Sequence, residues 1–172
     1  MSMFGRWLRE ERRSPAASGG GALRESVQRE LPGADAETVT VVTSMVGLLG
    51  AVAYADRDYS SEEETHVRQE LGRVHGMTEQ GIDAICTVLR QHVVELSTVE
   101  IPRFARALVE LADEELRREV LGALVGLAAA DESISLQETN LLRQITKSLG
   151  LSQQDYLEAQ QQHRQHLSAL KT

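Results

Sequence analysis

Two stretches decide the fold: GLLGAVAYADRDYSSEEETHVRQELGRVHGM, residues 47–77, and LGALVGLAAADESISLQETNLLRQITKSLGL, residues 121–151. Each opens with an uncharged run of small residues ending in Ala-Asp, passes through a short acidic loop, and continues as an amphipathic segment closed by glycine. Aligned on Asp56 and Asp131, they share Ser60/Ser135, Glu63/Glu138, Arg68/Arg143 and Gln69/Gln144, while Gly76 and Gly150 fall one residue out of step. This pattern predicts an all-α, pseudo-twofold helical bundle of about seven helices, built on a duplicated helix–acidic loop–helix unit.

Upstream of the first acidic loop, residues 38–55 carry no charge. That length just reaches what a bilayer span needs. Thr38, Thr40, Thr43 and Ser44 make the run mildly polar, and the second copy's run is too short to span, so a buried central helix is expected. Gly47 and Gly50 would let a neighbouring helix approach closely. Between the copies, Thr78 caps a helix with Ile82, Ile85, Val88, Leu89 and Val93 inward, and Pro102 suits the first turn of a short one. Asp35, Asp113 and Ser152 are placed as N-caps of further helices. The last of these grows polar and Gln-rich, with His163 and His166 expected in water.

The first 21 residues read differently. MSMFGRWLREERR gathers Met3, Phe4, Trp7 and Leu8 on one side of a short helix with arginines on the other. SPAASGGG, residues 14–21, reads as a linker, which sets residues 1–21 apart from a helical domain over 22–172. Phe4, Trp7 and Leu8 are candidate partner-binding residues, and the same segment could fold back on the domain or touch a membrane weakly through residues 3–13.

Composition narrows the function. Of the 18 basic and 26 acidic side chains, residues 1–13 hold four arginines and two glutamates, which leaves 14 basic against 24 acidic beyond them. A body with a balance of −10 repels nucleic acid and attracts cations or basic partners, so a protein partner is expected and nucleic acid is not. The single cysteine, Cys86, excludes an internal disulfide and reads as core packing. With no secretory signal pattern, the expected compartment is the cytoplasm, or the inner face of the membrane if residues 3–13 touch lipid. No nucleophile–base arrangement and no phosphate-cradling loop is present, and Glu63-x-x-His66 has no second copy to make a di-iron site. An enzyme is not expected.

The loops themselves hold two readings. Ser60-x-x-Glu63 and Ser135-x-x-Glu138 are capping boxes, with Tyr59 and Ile134 at the staple position, which accounts for four of the shared polar residues without a ligand. Asp56 and Asp131 are not required by the box and stand where the helix dipole disfavours negative charge. Either they cap loop amides and face water, or they hold a cation. Carboxylate oxygens suit Ca²⁺, Mg²⁺ or Mn²⁺, and the spacing is not that of an EF-hand.

At AYADRDYSSEE, residues 53–63, and AAADESISLQE, residues 128–138, the chain resembles the tellurite-resistance TerB family. Members carry Ala-Asp-Gly-x-apolar-Ser-x-x-Glu near both ends, and the resemblance spans about residues 35–157. It implies a compact helical bundle, an acidic cluster that binds divalent cations, and a non-catalytic role in stress-response or envelope-associated assemblies. The family's acidic positions fall on Asp56, Glu63, Asp131 and Glu138. Arg57 and Glu132 stand where the family has glycine, so differently shaped loops are expected, and Arg57 is placed to pair with Asp56.

Overall fold

The structure, a computed structural model, describes residues 19–130 and 134–170. They form eight helices and no strand: α1 (Gly19–Glu30), α2 (Ala36–Ala53), α3 (Ser61–Gly72), α4 (Glu79–Leu96), α5 (Ile101–Leu111), α6 (Glu114–Ala128), α7 (Leu136–Ser148) and α8 (Gln153–Leu170). The all-α bundle expected from the sequence is present, with one helix more than the count of about seven.

The starts are set locally. Asp35 accepts from the Thr38 N–H at 2.7 Å, Thr78 from Gly81 at 3.0 Å, and Asp113 from Leu116 at 2.8 Å. Each bond satisfies one of the orphan amides that open a helix. Pro102 stands in the first turn of α5, where its missing N–H costs nothing. α7 closes with Gly150 at φ +69°, its N–H bonding Lys147 O while Leu151 N–H bonds Thr146 O. That is a Schellman closure, and glycine adopts its left-handed residue without a Cβ penalty. α3 ends earlier than the sequence suggests, at Gly72, and Gly76 (φ +86°) lies beyond it in the following turn.

α2 is the hub, packing against α1, α3, α4, α5, α6 and α7. It is long and apolar enough to cross a membrane, yet two thirds of it is buried inside the bundle. Its polar residues fit there because Thr43 Oγ1 and Ser44 Oγ bond back to the Val39 and Thr40 carbonyls, each at 2.7 Å. A Cβ on Gly47 would lie 2.3 Å from the Phe104 ring, and one on Gly50 would lie 2.5 Å from Leu89. These two glycines bring α5 and α4 against the hub.

α1 begins inside the run read as linker. Gly19 and Gly20 are buried, because a Cβ would sit 3.0 Å from His92 and 2.8 Å from Glu100 respectively. Glycine lets α1 start this close to the end of α4 and the beginning of α5 without displacing the Glu95, His92 and Glu100 side chains. The glycine run looked flexible because its helical packing depends on residues about 80 positions away.

Candidate functional site

The first acidic loop starts where α2 stops. Tyr54 N–H bonds Gly50 O, and Arg57 N–H bonds Tyr54 O at 2.9 Å, which turns the chain sharply. Arg57 takes φ +68°, the only positive φ outside glycine among the described residues. The arginine thus adopts the left-handed conformation that glycine favours, at a cost of about 1 kcal/mol. The change of residue type does not remove the turn. No ion pair joins Arg57 to Asp56 among the described residues. Asp56 instead accepts from the Asp58 N–H at 3.0 Å, so it shapes the loop directly.

The two capping boxes are complete. Ser60 N–H donates to Glu63 Oε2 at 2.9 Å and Glu63 N–H donates to Ser60 Oγ at 3.2 Å. Ser135 N–H donates to Glu138 Oε2 at 2.7 Å and Glu138 N–H to Ser135 Oγ at 3.1 Å. Tyr59 and Ile134 pack against the core in front of them.

Burial sets these boxes apart. Glu63 is 4% exposed and Glu138 is 2% exposed, and with Glu100 they are the buried carboxylates among the described residues. Burial pushes the Glu63 carboxyl up to about 7; the Ser60 bonds pull it down, and the negative charges of Asp56 and Glu138 push it further up. Glu138 belongs to the second unit, so the charge of one loop is felt at the other. The pairing of α3 with α6 and of α2 with α7 brings the two units into contact. Asp56, Glu63 and Glu138 therefore share one electrostatic neighbourhood.

Asp131 lies outside the described residues, as do Phe4, Trp7 and Leu8. Among the described residues no three His, Cys, Asp or Glu side chains form a ready-made metal group. The donor chemistry of the loops nevertheless fits a hard divalent ion. Each box glutamate commits Oε2 to its serine, Oε1 of Glu63 stays outside the box, and partly desolvated carboxylates gain most from a counter-charge.

Beside the first loop, a cleft of about 470 Å³ opens between the end of α2, the end of α4 and the start of α7. Its walls include Tyr54, Arg57, Val94, Thr98 and Leu141. Nothing in the linear pattern announced it, since Val94 and Thr98 read as ordinary helix-end residues.

A second grouping also escaped the sequence. His66 on α3 and His163 on α8 meet over Gly126 of α6, where a Cβ would lie 3.2 Å from His66 Nε2 and 3.7 Å from His163 Nδ1. Burial lowers the His66 pKa, Glu70 opposes this, and His163 adds to it. His163 is half-buried rather than in open water. His66 meets Glu70 of its own helix and a histidine of α8. Among the described residues, the carboxylates on facing helices that a di-iron site needs are not gathered around it. Cys86 is fully buried and burial pushes its thiol up to about 11, which leaves it a packing residue.

No curated protein and no solved structure matches the chain. The family model described as tellurite resistance protein TerB matches residues 43–161, which takes in both loops, both boxes and the hub helix from Thr43 onward, and the chain belongs to that family.

Proposed function

We propose that this TerB-family chain is a non-catalytic helical binding module whose paired acidic loops take up a divalent cation of the Ca²⁺, Mg²⁺ or Mn²⁺ class. The residues assigned to the ion are Asp56, Glu63, Asp131 and Glu138. What carries this reading is the burial of Glu63 within the field of Glu138, a carboxylate from the other unit. Capping needs one carboxylate oxygen at each helix start; it does not need two such carboxylates withdrawn from water where each feels the other. A cation offsets that repulsion. The setting is a stress-response or envelope-associated assembly on the cytoplasmic side of the membrane, with a protein as partner.

Thermal unfolding tests it, first with excess chelator and then with each cation, for the wild type and an Asp56→Asn, Asp131→Asn double variant. Cation at about 100 times its dissociation constant stabilises by about 2.7 kcal/mol, a rise of roughly 5–10 °C for a chain of this size. The double variant should lose the rise. If neither protein responds to any of the three ions, the loops are helix caps alone and the cation assignment is wrong.

The second reading is a metal-free adaptor that docks a protein through its acidic face or through Phe4, Trp7 and Leu8. The cleft beside the first loop supports it, because Val94, one of the most exposed large apolar side chains, lines it with Leu141.

A further inference from the structure

That cleft needs an occupant. Val94 is 60% exposed, Val99 70% and Leu136 72%, the highest values among the large apolar residues described. Val94 lines the cleft, Val99 follows the lining residue Thr98, and Leu136 precedes the lining residue Gln137. A single exposed apolar side chain would need no explanation, but Val94 stands in the wall of a concavity together with Leu141, Ala51 and Ala55, and that makes it part of an apolar contact surface.

We propose that the cleft is the docking site of the chain's own amino-terminal segment, with Phe4, Trp7 and Leu8 seated against Val94 and Leu141. The inference does not depend on the cation. It rests first on where the described chain begins. Gly19 lies against His92 and Glu95, on the last turns of α4, and the same end of that helix supplies Val94, Ser97 and Thr98 to the cleft. A helix with its side chains is about 10–12 Å across. The eleven steps from Leu8 to Gly19 reach up to roughly 36–40 Å when extended, so the segment spans this distance with slack. A tether this short also holds its apolar face at a local concentration in the millimolar range. Even a small apolar contact is then populated.

Charge points the same way. Arg6, Arg9, Arg12 and Arg13 would ride beside the first acidic loop, where Asp56 and Asp58 are exposed. A second copy of the chain would bring the same surface but no such tether. An anionic lipid surface would be repelled by the exposed Asp56 and Asp58 beside the cleft.

Trp7 is the chain's single tryptophan, so its fluorescence reads the site directly in the full protein. The expected result is an emission maximum shifted to the blue of a free peptide of residues 1–21, with acrylamide quenching reduced severalfold, both independent of protein concentration. Val94→Lys removes one wall and adds like charge at an exposed position, and should return Trp7 to the peptide's emission and quenching with helical content and Tm unchanged. Val109→Lys, exposed on α5 and outside the cleft lining, should leave the blue-shifted signal in place. The proposal is overturned if the wild-type signal equals that of the peptide or if Val94→Lys does not change it. It is equally overturned if the blue shift appears only on raising the protein concentration, which would mean a second copy. A shift only on adding phosphatidylserine vesicles would mean lipid.

Discussion

The boxes at Ser60–Glu63 and Ser152–Asp155 use the same bonds and reach opposite electrostatic outcomes. In both, the serine N–H donates to a carboxylate three residues on, and that residue's N–H donates back to the serine Oγ. Asp155 also receives Arg118 Nε at 2.9 Å, and the Ser152 backbone bond together with Arg118 holds its carboxyl down at about 2. Among the described residues Glu63 pairs with no such cation; it is buried and stands near 7. The capping bonds favour the ionised carboxylate in both boxes, at Glu63 as at Asp155. The raised value at Glu63 comes from burial and neighbouring negative charge. The α8 box is therefore a finished structural device, whereas the α3 box has no cationic partner among the described residues.

The most direct test of this contrast is removal of the serine. Ser60→Ala should destabilise by about 2 kcal/mol, because it takes the cap and leaves a buried carboxylate short of a donor. Ser152→Ala, at an exposed box, should destabilise by about 1 kcal/mol. Urea unfolding of the two variants distinguishes them; equal losses would mean that burial of Glu63 has no energetic weight.

Next is pH. Glu63 ordinarily titrates at 4.5 and stands near 7 in the folded chain, so the folded state holds the extra proton between those values. Its contribution is fully present below pH 4.5 and is lost as pH rises through 7, a decline on the order of 3 kcal/mol. Asp155 acts in the reverse sense: its contribution is present above pH 3.8 and lost as pH falls toward 2. Glu63→Gln keeps a box-competent side chain and should flatten the decline between pH 4.5 and 7 in chelator-treated protein. A profile unchanged by that substitution would place the titration elsewhere.

Smaller still is the loop backbone. Arg57→Gly relieves the left-handed strain and should stabilise by about 0.5–1 kcal/mol, net of the extra chain entropy of glycine. Any loss of stability would mean that the Arg57 side chain holds the cleft wall. The smallest effect belongs to Arg118→Ala. It removes the ion pairs to Asp155 and Glu114, in which Arg118 is half exposed, and should lower stability only slightly. A double-mutant cycle with Asp155→Asn isolates the pair.

How much of this was legible follows from the range of each interaction. The caps at Asp35, Ser60, Thr78, Asp113, Ser135 and Ser152 were readable because a cap bonds a residue only three positions on. Gly47 and Gly50 were readable as points of close approach because small residues inside an uncharged run have few other uses. The start of α1 was not legible, because what packs Gly19 and Gly20 into a helix is their approach to His92, Glu95 and Glu100, about 80 positions away. Of the proposed cation residues, the capping role of Glu63 and Glu138 could be read from spacing; their withdrawal from water could not.

By itself, the sequence determined that the chain is helical, where most of its helices start, which helix forms the hub, and that two acidic loops close with the same box. Those features depend on periodicity and on bonds between residues a few positions apart. Tertiary structure alone decided that Glu63 is buried within the field of Glu138, that His66 meets His163 over Gly126, and that the exposed Val94 lines a cleft at the end of α4. Burial and charge proximity are properties of helices brought together, and residues 75 and 97 positions apart along the chain carry no local sign that they will meet.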